Sequence, residues 1–205
     1  MGIRARRTPL RTVLARPAPE AARGLLGCLV TAGDVTVRLT EVEAYGGVGA
    51  DPASHAHRGR TPRNGIMFGP PGYAYVYFVF GMHWCLNVVV EPAGQAAAVL
   101  VRAGEVVDGL DTARLRRGAA VPTRDLARGP ARLTTALGID KSADGTSLVD
   151  GSGPLTLAPP TAPVDAIASG PRVGVVGGAD TPWRFWLAGD PTVSAYRPHV
   201  ARRPR

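Results

Sequence analysis

Glu41, Glu43 and Tyr45 stand two residues apart at the end of the apolar run Val35–Tyr45. Carboxylates at that spacing can take a proton from water, or balance positive charge that develops during a reaction. The run alternates, with Val35, Val37, Leu39, Glu41, Glu43 and Tyr45 on one parity. Period 2 predicts a strand whose successive side chains point to opposite faces. On that pattern the two carboxylates and the ring share one face, at the end of a strand that is otherwise apolar. A carboxylate there costs free energy unless it has partners. Solvent at the strand end, or arginines, would satisfy that need without any catalysis.

The elements that must position these residues follow from the same reading. Pro19 opens a helical stretch (Glu20, Ala21, Ala22, Leu25, Leu26) that Gly27 stops. Cys28–Thr31 and Val35–Tyr45 read as strands joined at Gly33-Asp34. Residues 46–72 form a Gly/Pro/Arg/His-rich loop, long enough to expect a function. Tyr73–Phe80 and Trp84–Glu91 flank Gly81-Met82-His83 as a hairpin, and Ala96–Ala103 is a further strand. Helical patches follow at Gly109–Arg117 and Pro130–Leu137, then loops with one short strand at Leu155–Leu157. Arg172–Val176 and Arg184–Leu187 read as short closing strands. The expected fold class is α/β (α+β), a single domain with a curved, mainly antiparallel β-sheet core flanked by helices and long loops. It should span residues 19–196, between a flexible basic arm (1–18) and a basic tail (197–205).

Charge narrows the partners. The formal net charge is +8, but the two ends carry nine arginines and no acid, so the body is near neutral. Within the body, Arg58, Arg60 and Arg63 lie in an acid-free loop, and Arg114, Arg116, Arg117, Arg124, Arg128 and Arg132 face only Asp125. Such clusters suit phosphates. No run of 18 apolar residues exists, so no membrane span is expected, and the N-terminus lacks the apolar core of an export signal. Cys28 and Cys85 are too few for a disulfide framework or a zinc ribbon, which fits a reducing, cytoplasmic setting. His55 and His57, with Glu41, Glu43 and His83, are the candidate metal ligands, but they lie on three segments without a tight signature. No metal or cofactor is expected. The strand-end carboxylate, the tyrosines, the arginine loop and an aromatic at a hairpin tip together suit a stacked base beside a phosphate backbone.

The order of motifs then becomes informative. Glu41-Val42-Glu43-Ala44-Tyr45, Ala53-Ser54-His55, Arg60-Thr61-Pro62-Arg63-Asn64 with Met67-Phe68, Tyr75-Val76-Tyr77 and Gly81 to Asn87 occur in sequence. Val99 to Ala103, Gly129 to Leu133 and Arg172-Val173-Gly174 follow. The set resembles the alkyladenine (3-methyladenine) DNA glycosylase family over about residues 20–195. By that resemblance Glu43 activates a water to attack the sugar C1′, and Arg102 helps to hold it. Tyr45, His55 and Tyr77 wall the base pocket, and Asn87 crowds the 2-amino group of normal guanine. Phe80 is the duplex wedge, where many members have tyrosine. Arg58, Arg60, Arg63, Met67 and Arg132 contact the DNA backbone. The implied partner is double-stranded DNA containing damaged purines, bound by a monomer. Two other readings stand beside it: a non-catalytic nucleic-acid-binding module, and a metal-dependent hydrolase using His55, His57 and Glu43. Lys141 is the only lysine, flanked by Asp140 and Asp144, which argues against a Schiff-base lyase.

Overall fold

The computed structural model describes residues 9–199, and the outermost parts of the expected arm and tail lie outside them. Its centre is an antiparallel sheet of β1 (Leu29–Ala32), β2 (Val35–Tyr45), β3 (Ala74–Val79), β4 (His83–Val90), β5 (Ala97–Asp108), β6 (Leu155–Ala158), β7 (Ile167–Gly170) and β8 (Arg184–Leu187). The main path runs β3-β4-β5-β2-β1-β6. β8 pairs with the outer half of β2 at Glu41–Glu43 and carries β7 beyond it. Hairpins join neighbours in sequence, so local turns dictate most of this order.

Among the described residues four α-helices flank the sheet: α1 (Leu10–Leu14), α2 (Ala18–Leu25), α3 (Leu110–Arg117) and α4 (Pro130–Leu137). α2 buries Ala18, Ala21, Ala22 and Leu25, the stripe expected of an amphipathic helix. α4 does the same with Leu133, Ala136 and Leu137, and Pro130 opens it where no N–H is needed. They pack with Val35, Val37, Leu39, Val42, Ala44, Val88, Val99 and Val101 as one core. The opposite face carries a smaller cluster of Ala56, Met67, Tyr75, Val89, Ala96 and Ala98 beneath the 46–72 loop.

Three expectations need correction. Residues 10–14 are helical and Leu14 is fully buried, so that part of the arm packs on the domain. Arg172–Val176 is a loop, not a strand, and the strand there is β7, a few residues earlier. Most important, Glu41, Glu43 and Tyr45 do not share a face with Val35, Val37 and Leu39. The β2–β5 register slips between Leu39 and Glu41 and again between Glu41 and Val42. Thr40 is the extra residue on β2, and Arg102 is the extra residue on β5. A bulge shifts the alternation by one. Val42 and Ala44 therefore join the helix-side core beside Leu39. Arg38, Thr40 and Glu41 all bond the same outer segment, at Asp190, Thr192 and Ser194.

Candidate active site

The paired bulges turn Glu41, Glu43 and Tyr45 away from the helices, toward the side covered by long loops. Cross-strand pairing then sets the rows. Glu43 sits opposite Leu100, Leu100 opposite Asn87, and Asn87 opposite Tyr75. Tyr77 lies opposite Cys85 in the next row of the hairpin. All of these but Glu43 line a cavity of about 460 Å³, with Tyr45, His55, Tyr75, Tyr77, Asn87 and Arg102 on its walls. Sequence-distant candidates thus converge because strand neighbours present alternate residues to one face.

Glu43 lies under the cavity and is 0% exposed. Its Oε1 accepts the Val173 N–H at 2.7 Å, and its Oε2 accepts the Tyr45 hydroxyl at 2.8 Å. Arg102 Nη1 reaches Oε2 at 3.4 Å. Arg102 donates more closely to Glu41, from Nε at 2.9 Å. Glu41 also accepts Arg184 Nε and the Ser194 N–H, each at 2.7 Å. Two carboxylates and two guanidiniums alternate here, so each buried charge meets its opposite. Burial works against the Arg102 cation, but Glu43 and Glu41 beside it hold its pKa above the ordinary arginine value. Burial, and then the Glu43 charge, push the Tyr45 hydroxyl well above the usual phenol range. Tyr45 is therefore a donor throughout neutral pH.

The walls are tied down separately. Tyr75 hydroxyl and His55 Nδ1 lie 2.9 Å apart, and the His55 and Tyr77 rings meet edge-on at 4.6 Å. Burial, then Arg63, depress the His55 pKa, so the neutral imidazole prevails at pH 7. Asn87 Nδ2 donates to the Tyr75 carbonyl at 3.0 Å, which fixes its amide against the wall. Arg172 forks onto Asp51 at 2.6 and 2.8 Å, and its guanidinium stacks 4.7 Å behind the Tyr45 ring. Asp51 also caps the Gly46 and Ala53 N–H groups, so one pair locks both loops at the cavity mouth. A Cβ on Gly177 would come within 2.6 Å of Pro52, so only glycine lets these loops meet.

Phe80 occupies the tip of the β3–β4 hairpin and is 86% exposed. Phe80 and Gly81 both have positive φ, at 54° and 68°, with Met82 N–H on the Val79 carbonyl. Val79 pairs with His83, so Phe80, Gly81 and Met82 form a three-residue hairpin loop. A bulky residue at positive φ is strained, and such strain clusters at functional sites. Arg58, Arg60, Arg63 and Arg132 are exposed, with Arg60 over Phe68 and Arg63 over Tyr77. Asn64, fully inside, holds the loop that carries the first three by bonding the His55 and Gly59 carbonyls.

Two assignments change. Met67 is 1% exposed and its N–H is bonded to the Asn64 carbonyl, so it floors the cavity and does not meet a backbone phosphate. Three of the six arginines in the 114–132 cluster are engaged internally: Arg116 with Ala136, Arg117 with Leu126, and Arg128 with Val193 and Asp125. Arg132 stays on the surface. The metal-hydrolase arrangement is not formed either. Among the described residues no three His, Cys, Asp or Glu side chains gather as a metal would require. His55 bonds Tyr75, and Glu43 is enclosed by its own donors.

The sequence profile described as methylpurine-DNA glycosylase matches residues 12–191. The chain belongs to this family. Relatives are similar over nearly their whole length. A protein of Streptomyces avermitilis named "Putative 3-methyladenine DNA glycosylase" is 53% identical over 207 residues, covering 97% of each chain. A protein of the same name from Nocardia farcinica is 58% identical, over 91% of this chain and 89% of the relative. One from Mycobacterium leprae is 49% identical, over 90% and 86%. The chain is accordingly a DNA-repair hydrolase of the glycosylase class.

Asp51, Asn64 and Glu41 were not singled out in the sequence for the parts they take here. The one signal for Asp51 is that it is the last acid before a long acid-free loop. Arg172 and Val173 were visible as a motif, but assigned to a strand, their links to Asp51 and Glu43 could not be seen.

Proposed function

We propose that this glycosylase flips alkylated or deaminated purines out of duplex DNA and hydrolyses the N-glycosidic bond, leaving an abasic site. The nucleophile is a water activated by Glu43. The observation that carries this reading is the Glu43 carboxylate, buried under the cavity and held by the Val173 N–H, the Tyr45 hydroxyl and a long contact to Arg102. A carboxylate offers about four acceptor sites, so one acceptor site remains for a water beside Arg102. That water attacks C1′ and passes its proton to Glu43, and the bonding electrons of the glycosidic bond leave with the base. The carboxylate charge also stabilises the oxocarbenium character that develops at C1′.

The walls supply selectivity. A purine alkylated at N3 or N7 is cationic, and a cation between aromatic faces gains about 0.5–2 kcal/mol, a gain largely absent for a normal purine. Tyr45, His55 and Tyr77 provide those faces, and Asn87 crowds a base with a 2-amino group. Phe80 enters the stack where the base has left, and Arg58, Arg60, Arg63 and Arg132 meet phosphates. Lys141 is not an alternative nucleophile, because its Nζ sits 2.5 Å from Asp144 on the surface.

Duplex oligonucleotides with one lesion each test the reading. Incubation followed by alkali should cleave the strand at 3-methyladenine, 7-methylguanine or hypoxanthine, and borohydride during turnover should trap no protein–DNA adduct. Strands that stay intact at every lesion would contradict it.

A further inference from the structure

Glu41 and Glu43 are both fully buried, and neither is itself on the cavity wall. Its carboxylate takes four donors: Arg102 Nε at 2.9 Å, Arg184 Nε at 2.7 Å, and the Ser194 N–H and Oγ at 2.7 and 2.9 Å. Arg102 does line the cavity, and its contact to Glu43 is the longer one, 3.4 Å. The cavity-lining guanidinium is therefore paired more closely with Glu41 than with Glu43.

We propose that Glu41 is a positioning residue that holds Arg102 back from Glu43, so that Glu43 keeps an uncrowded charge and a free site for water. This rests on the reading of Glu43 as the base. A guanidinium released from Glu41 would close on Glu43, favour its ionised form and weaken it as a proton acceptor. The other groups facing Glu43 do not duplicate this control. From its own strand comes the Tyr45 hydroxyl, and from the loop after β7 the Val173 N–H. Cys85 on β4 presents a thiol whose pKa burial raises, hence neutral. Arg172 is already forked onto Asp51, and Tyr77 bears on Glu43 only through Tyr45. Arg184, from β8, bonds Glu41 and not Glu43.

The test is the pH dependence of single-turnover excision by Glu41→Gln on a 7-methylguanine duplex. That base is already cationic, so no protonation of the leaving group overlies the acidic limb. The acidic limb should move to lower pH by ~0.5–1 unit, the direction expected when a negative neighbour is lost and a cation draws in. The plateau rate should fall about tenfold, with duplex affinity within about twofold of wild type. An acidic limb that stays in place with a near wild-type plateau, or one that moves up, would overturn the assignment. Should Glu41→Gln fail to fold, Glu41→Gln with Arg184→Met removes the buried pair together and is read by the same criteria. Glu43→Gln is run alongside. If that variant excises at the wild-type rate, the base assignment falls and this inference with it. If it is inactive and the Glu41→Gln limb does not move, only Glu41 loses its role.

Discussion

The floor of the cavity and its rim obey opposite rules. Beneath the floor, Glu41, Glu43 and Arg184, with Arg102 on the wall above them, are all buried, and each is held by several partners before any ligand arrives. At the rim, Phe80, Met82 and Val176 are 86%, 65% and 72% exposed, beside arginines that face solvent. The difference follows from what each must survive in the absence of DNA. A buried charge without its full complement costs several kcal/mol, so chemistry at the floor has to be assembled by folding. An exposed ring or arginine costs little in water, so the rim needs no partner to keep its place. The floor is built on strands; the rim is built on a hairpin tip and loops.

This contrast can be broken from either side. The largest expected effect is at the floor: Glu43→Gln should reduce single-turnover excision by at least ~100-fold, the range of a lost general base, while lesion-duplex affinity stays near wild type. Asp51→Asn should destabilise the fold by about 3 kcal/mol, measured by urea unfolding, because it leaves Arg172 buried without its partner. Burial opposes the ionised Asp51, but Arg172 and the Ala53 and Gly46 N–H groups hold its pKa below the usual value. The sign follows: this contribution is complete above the unfolded aspartate value of ~3.9. It is lost as pH falls through the lower folded value, and Asp51→Asn should remove that acid-dependent loss. At the rim, Phe80→Ala should lower excision from duplex about tenfold, an estimate for a lost wedge, and Phe80→Tyr should be near neutral. The smallest effect is electrostatic. Four surface arginines, Arg58, Arg60, Arg63 and Arg132, imply a slope of log K against log salt near −3.6. Arg132→Ala should flatten it by about 0.9.

Much of this was legible in the sequence for identifiable reasons. The β2 boundaries, α4 and β8 follow from alternation, Pro130 and the aromatic run, all local signals. Tyr45, His55, Tyr77 and Asn87, all picked out by the motif order, lie on the wall of one cavity, and Glu43 bonds Tyr45 beneath it. What escaped were relations between segments. Period 2 cannot reveal a bulge, so the turn of Glu41 and Glu43 away from Val35, Val37 and Leu39 was invisible. Arginine counting could not separate Arg132, on the surface, from Arg116 and Arg117, which bond helix-end and loop carbonyls. Nor could it join Asp51 to Arg172, 121 residues away.

The central claim is that floor and rim act on different steps, chemistry and base flipping. The double variant Glu43→Gln with Phe80→Ala tests it, in single-turnover excision from a hypoxanthine duplex alongside both single variants. If the base equilibrates between stacked and flipped states before a separate hydrolytic step, the two fold-losses should multiply, to about 1,000-fold, as independent sites do. A double variant no slower than Glu43→Gln alone would contradict the account.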